Sequence, residues 1–203
     1  MIQCKIITII IGFVICLTFF YSCGSIKTDY IEKQYYDFTT MSQGQGSSDT
    51  GAPLLVKDFT INSAFDSYSF VYRVENKQDI YDYYNEFATY PAKLISGQLA
   101  ETLYNSIYFS SALAKRPADI KYRLSGKIIK LYGDFQEKSD PKAVIGIRMI
   151  LEQKRGKTFQ KIMDSRYSGT QIILEAKPDQ LFKGWNSGLL KIVEKFINDF
   201  VSL

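Results

Sequence analysis

From Pro178 to Leu203 the chain repeats apolar residues at helical spacing: Leu181, Trp185, Leu189, Ile192, Phe196 and Phe200. Phe182, Leu190, Val193, Ile197 and Val201 widen this stripe, and Lys183, Lys191, Glu194, Lys195 and Asp199 take the opposite side. Residues three or four apart share a helix face, so the spacing predicts one long amphipathic helix with Pro178 in its first turn. Its apolar arc is wide enough to cover a sheet, which gives that face somewhere to bury.

Strand signals for such a sheet precede it. Ala143, Ile145, Ile147, Met149 and Leu151 alternate with their neighbours, the period-2 pattern of a half-buried strand. Ile120, Tyr122, Leu124, Gly126 and Ile128 alternate in one phase, while Ile129, Leu131 and Phe135 continue in the other. A slip of one residue is what a β-bulge produces, which places one between Gly126 and Ile129. Lys154-Arg155-Gly156-Lys157 reads as a hairpin turn with Gly156 free to take positive φ. Thr158–Ile172 returns as a long strand, expected to be irregular near Gly169.

Earlier in the chain, residues 33–40, Leu54–Ile61 and Tyr68–Val74 have strand content, and Ile80–Tyr84 reads as a short edge strand. Pro91 suits the first turn of a helix. Ile95, Leu99, Leu103 and Ile107 then predict a helix of about 16–18 residues with one apolar stripe. The order of elements points to an α+β fold: a mostly antiparallel sheet of about five to six strands with two amphipathic helices packed on one face.

Two absences narrow the chemistry. There is no His in the 203 residues, which removes Ser-His-Asp and Cys-His catalysis and His metal ligands. The three Cys are Cys4, Cys16 and Cys23, all near the start, so the body of the chain has no thiolate nucleophile, disulfide or Cys zinc site. Scattered Asp and Glu suggest no metal site, and no cofactor is implied. A formal net charge of +4 is too mild for a nucleic-acid binder.

The start of the chain has its own logic. Lys5 is the one charge among residues 1–22, and an apolar run from Ile6 to Phe20 follows it. A short cationic lead, an apolar run and a small residue before a cut site describe a secretory signal peptide. Phe20-Tyr21-Ser22-Cys23 resembles a bacterial lipobox, in which the Cys receives a diacylglycerol and becomes the new N-terminus. Phe20 and Tyr21 depart from the usual residues of that motif. An uncleaved N-terminal anchor is the alternative. Gly24 after the Cys resembles an outer-membrane address. The expected organisation is a leader over 1–22, a tether over 23–32 from a lipidated Cys23, and a single domain over 33–203 with a flexible Gly/Ser-rich loop at 42–52.

Several pieces in order resemble one family, the ABC-type transport auxiliary lipoprotein component. They are Tyr35-Tyr36 soon after Cys23, Phe70-Val71-Tyr72-Arg73, Tyr83-Tyr84-Asn85-Glu86-Phe87 before Pro91, the strand Asp119–Gly126, Arg155-Gly156 at the hairpin, and the final helix. Phe87 stands where that family often has Trp. The resemblance implies a non-enzymatic role beside an ABC permease, its ATPase and a substrate-binding protein with a mammalian-cell-entry (MCE) domain. Such systems move phospholipid or other hydrophobic molecules between the two membranes. It also implies a lipid anchor at Cys23, a location on the periplasmic face of the outer membrane, and a ring-shaped homo-oligomer by analogy. The alternative is a periplasmic lipid-binding carrier domain with its own apolar pocket.

Few side chains stand out as a site. The run Tyr68, Tyr72, Tyr81, Tyr83, Tyr84 and Tyr90 suggests a partner surface, since Tyr is enriched at interfaces. Alternation alone accounts for most of these as half-buried strand residues. The adjacent pair Tyr83-Tyr84 is harder to bury and carries the interface reading. Trp185, alone on an apolar helix stripe, is expected in the core.

Overall fold

The structure, a computed structural model, describes residues 31–38, 51–112, 119–137 and 139–203. The leader 1–22, Cys23, most of the tether 23–32 and most of the loop 42–52 lie outside the described residues. Lys33–Leu203 form one compact unit. Its elements are β1 (Gln34–Tyr36), β2 (Ala52–Val56), β3 (Thr60–Ile61), β4 (Ser69–Arg73), β5 (Asp79–Phe87), α1 (Pro91–Tyr104), β6 (Phe109–Ser111), β7 (Tyr122–Asp134), β8 (Lys142–Arg155), β9 (Thr158–Ile172) and α2 (Pro178–Val201). Ala52, expected in the flexible loop, instead opens β2.

Strand β7 organises the sheet. Along one edge it pairs antiparallel with β8 for its full length. Its other edge is shared by three short parallel strands placed end to end: β2 at Tyr122–Leu124, β3 at Lys127–Ile128 and β4 at Gly133–Asp134. The expected single strand over Leu54–Ile61 is thus two strands. They are separated where Phe59 turns its ring over Gly126, so close that a Cβ there would lie 2.6 Å from the ring. β6 extends the sheet beside β2, and β5 then β1 extend it beside β4. β8 continues antiparallel to β9 through Gly156-Lys157, with Gly156 at φ 61°, the sign that the first loop residue of a II′ hairpin requires. The result is an α+β fold with two helices on a large mixed sheet, whose long antiparallel part is β7–β8–β9. Short parallel pairings raise the strand number above the five or six expected.

The slip near Gly126–Ile129 is present: the β7–β8 register shifts between Ile128 and Lys130, leaving Ile129 as the extra residue. It lets Leu124, Ile128 and Leu131 all face the helices, and each is almost fully buried. β9 is irregular at Ile162, where the register shifts opposite Leu151/Glu152, and not at Gly169. What Gly169 provides is contact with α2. A Cβ on it would lie 2.5 Å from the Gly188 carbonyl oxygen, and one on Gly184 would lie 2.5 Å from the Ala143 Cβ. Gly184 and Gly188, one turn apart, seat the helix on the strand backbone.

α2 covers β8 and β9 and also touches α1. Trp185 is fully buried with Phe70 and Phe87 at ring distances of 4.9 and 5.5 Å, and its Nε1–H donates to the Tyr132 carbonyl at 3.2 Å. Farther along, Phe109, Phe196, Phe200 and Tyr122 form a second aromatic group. α1 is shorter than expected. It stops at Tyr104 because Ser106 turns its hydroxyl onto the Leu103 carbonyl at 2.6 Å, a local bond that competes with helix continuation. Ile107 therefore leaves the stripe and is 74 % exposed. The opposite sheet face is polar in its long part, with Arg123 bidentate to Glu152 and Arg148 bidentate to Asp164.

Candidate interaction surface

β5 begins as a regular partner of β4: Arg73 faces Asp79, Tyr72 faces Ile80 and Val71 faces Tyr81. The next pairing is Ser69 with Glu86. Two steps along β4 therefore correspond to five along β5, and the surplus is a bulge over Asp82–Asn85. Tyr83 and Tyr84 sit on that bulge.

Asp82 builds it. Its Oδ1 accepts from the Tyr84 N–H at 2.7 Å and the Asn85 N–H at 3.1 Å, while its Oδ2 accepts from the Asn85 side-chain amide at 2.8 Å and the Tyr72 hydroxyl at 2.5 Å. This is an Asx-type turn, in which a carboxylate replaces the ladder partner that the backbone has lost. Burial alone would push the Asp82 carboxyl up, but these hydrogen bonds outweigh it and hold the group below its ordinary value. The same contact, added to burial, pushes the Tyr72 hydroxyl up. At neutral pH Asp82 is thus a fixed anion accepting from a neutral phenol.

The bulge lifts both tyrosines out. Tyr83 is 68 % and Tyr84 41 % exposed, with their rings edge to face at 5.2 Å. Lys33, held to Glu86 at 2.6 Å, lies 4.3 Å above the Tyr83 ring, a cation–π contact that limits the ring's motion. Ile80 and Tyr81 on the same strand and Tyr35 on β1 are also exposed. β1 pairs only with Asn85–Phe87, so among the described residues the outer edge of Asp79–Tyr84 has no strand partner. Apolar rings, one fixed cation and open backbone groups form a surface suited to an extended peptide or a flat protein face.

The other sequence candidates divide. Tyr72 stacks on Phe135 at 5.2 Å and is half-buried, so it supports the surface without forming it. Tyr68 pairs with Tyr90 edge to face at 5.8 Å. Tyr36 goes inward against Phe70 and Phe182, its hydroxyl donating to Asp179 at the start of α2. Asp82 is the residue that sequence reasoning passed over. Its signal was Asp82-Tyr83-Tyr84-Asn85, an Asp followed three residues on by Asn inside an aromatic run. Cys23 lies outside the described residues.

A separate cleft of about 430 Å³ opens where the far end of α2 meets the β8–β9 hairpin, lined by Tyr122, Gln153, Arg155, Ile162, Phe200 and Leu203. Among the described residues no group of His, Cys, Asp or Glu could hold a metal ion, and no helix is long and apolar enough to cross a membrane.

The fold, two helices laid on a mixed sheet with a long antiparallel hairpin, is shared with solved structures. No family model matches the sequence, and comparison with curated proteins finds no relative. Protein XCC0632 from Xanthomonas campestris, assigned to the DUF330 family, matches with a TM-score of 0.59 at 10 % identity, over 84 % of this chain and 86 % of its own. An uncharacterized protein matches with a TM-score of 0.62 at 13 % identity, over 83 % and 99 %. The hypothetical protein CT253 from Chlamydia trachomatis matches with a TM-score of 0.52 at 8 % identity, over 72 % and 95 %. At such identities the likeness is one of fold.

Proposed function

We propose that this chain is a non-enzymatic auxiliary lipoprotein of an ABC/MCE-type transporter, held by a lipid on Cys23 at the periplasmic face of the outer membrane. The observation that carries the reading is the Tyr83-Tyr84 pair held out from the sheet by Asp82. The four hydrogen bonds of Asp82 stabilise the bulge, but the exposed parts of the two rings it holds out gain nothing from burial within this chain. Such exposure suits a surface that docks a protein. The order lipobox, tether and domain supports the anchor. Gln34 follows Cys23 by eleven residues, and a chain gains at most about 3.3–3.6 Å per residue, so such a tether would reach roughly 40 Å from the membrane. In this reading the domain adapts the transporter's MCE-domain protein to the outer membrane and moves lipid only as part of that assembly.

The test is site-specific photocrosslinking in the native envelope with the full-length chain. A photoreactive residue at Tyr83 should capture the MCE-domain protein, one at Lys130 on the polar sheet face should not, and Cys23→Ser should abolish palmitate incorporation. No MCE adduct at Tyr83, or palmitate labelling that persists without Cys23, overturns the reading. The cleft beside Phe200 favours one alternative, a carrier domain that takes an acyl chain itself. Phospholipid retained in native mass spectrometry, and lost in Ile162→Glu, would support the carrier.

A further inference from the structure

Strand β9 is 15 residues long and hydrogen-bonds to β8 along one edge. Among the described residues its other edge pairs with no strand. At about 3.4 Å per residue this is roughly 50 Å of open backbone, far more than the short, blunted edges by which soluble domains avoid unwanted pairing. The residues along it are not neutral about their neighbours. Arg166 stands directly opposite Arg148 across the β8–β9 ladder, an unfavourable like-charge pair. Arg148 is satisfied by Asp164, whereas Arg166 is exposed and has no ion-pair partner among the described residues. Its unmet requirement is a carboxylate arriving from the open side.

We propose that the occupant of this edge is β9 of a second copy, paired antiparallel about a two-fold axis at Ser165. Antiparallel self-pairing fixes which residues meet: the two numbers sum to a constant, and side chains that meet lie on the same face. With the axis at Ser165 the constant is 330, which places Asp164 opposite Arg166 of the other copy, twice. It also places Met163 opposite Tyr167 on the helix side, and the match holds from Met163 to Tyr167, up to the bulge at Ile162. Moving the axis one residue either way sets Asp164 against Asp164 or Arg166 against Arg166. Charge thus selects one register among the three nearest the strand's midpoint. The pairing joins two sheets into one, with both α2 helices on the same side. Asp164 already accepts from Arg148 and from Lys161, so the incoming Arg166 joins them on one carboxylate, and the pairing displaces the 3.5 Å bond from Lys195 to the Ser168 carbonyl. This surface lies across the sheet from β5 and β1 and does not depend on the docking role proposed for Tyr83 and Tyr84.

Directly opposed Cα atoms in an antiparallel pair are about 4.5–5.5 Å apart, within the span of a disulfide. Full-length chain carrying Ser165→Cys should therefore give a disulfide-linked dimer under mild oxidation. Arg166→Cys, displaced from its own copy by two steps along the ladder, should not, and the parent chain controls for its own cysteines. In sedimentation equilibrium Arg166→Glu should weaken dimerisation at least 10-fold with an unchanged circular dichroism spectrum. A monomeric parent chain at tens of micromolar, an assembly that Ser165→Cys fails to crosslink, or equal crosslinking at positions 165 and 166 overturns the proposal. Loss of MCE capture at Tyr83 leaves it standing.

Discussion

Replacing Asp82 by Ala tests whether one carboxylate holds the proposed docking surface in place. Four hydrogen bonds go with it. The Tyr84 and Asn85 N–H groups lie where water replaces the lost acceptor, so their net cost is small. The Tyr72 hydroxyl belongs to a half-buried side chain stacked on Phe135, and stranding a donor there costs about 1–3 kcal/mol. Together these give a loss of about 2–3 kcal/mol, or roughly 5–10 °C in melting temperature for a domain of this size. Calorimetry measures it, and the cycle with Tyr72→Phe isolates the shared contact, expected at about 1–2 kcal/mol. The folded-state pKa of Asp82 lies below its unfolded value. Its contribution is therefore present above the unfolded pKa and lost as pH falls through the folded one. The gap between parent and Asp82→Ala should close in acid and stay constant from pH 6 to 8. Capture of partner through Tyr83 should fall in step with stability of the bulge. A loss under about 0.5 kcal/mol with capture unchanged, or a gap that widens in acid, would refute the assignment of Asp82 as the element that sets the surface.

Gly169→Ala sets a new Cβ against the Gly188 carbonyl, a backbone atom that no rotamer change can move. The expected cost is about 1–3 kcal/mol, read by chemical denaturation, whereas Gly97→Ala, with nothing within 4 Å of the added carbon, should be neutral or stabilising. Trp185→Ala should cost about 3–5 kcal/mol. Because Trp185 is the chain's one Trp, its emission in the parent should be blue-shifted and move to the red in a single step on unfolding. Burial, with Asp199 accepting from its hydroxyl at 2.7 Å, pushes Tyr167 up to about 12. Its stabilisation is complete below the unfolded value near 10 and lost as pH rises through about 12, so Tyr167→Phe should flatten the alkaline limb of the stability profile.

Elements fixed by a single repeating contact were legible from the chain. The stripe from Leu181 to Phe196 determines α2 because every fourth residue meets the same sheet. The alternation from Ala143 to Leu151 determines β8 because β7 and β9 flank it throughout. The bulge at Ile129 was visible as a phase change, since both phases are long enough to register. What escaped depends on partners distant in sequence. Leu54–Ile61 looks like one strand until Phe59 has to cover Gly126, far along the chain. Ile107 keeps the spacing of α1, yet the Ser106 hydroxyl ends the helix at Tyr104, three residues before it. Gly169 resembles a strand defect, but the residue that explains it is Gly188, on a helix that covers it.

The Tyr83-Tyr84 surface shows the same limit more sharply. Period-2 reasoning assigns Tyr81, Tyr83 and Asn85 to one face of β5 and Asp82 and Tyr84 to the other, which hides half of any aromatic pair. The bulge cancels that alternation over four residues, so adjacent rings are exposed together. Local sequence carries the cause, Asp82 and Asn85 three apart, but an Asx turn inside a strand needs a reason to prevail over the ladder. Tyr72 supplies it from β4: its hydroxyl reaches Oδ2 and turns an ordinary strand aspartate into a half-buried acceptor with four donors. The exposed pair at 83 and 84 is thus decided by Tyr72, ten positions before Asp82 on the neighbouring strand. Removing the Tyr72 hydroxyl should loosen both rings without touching either of them.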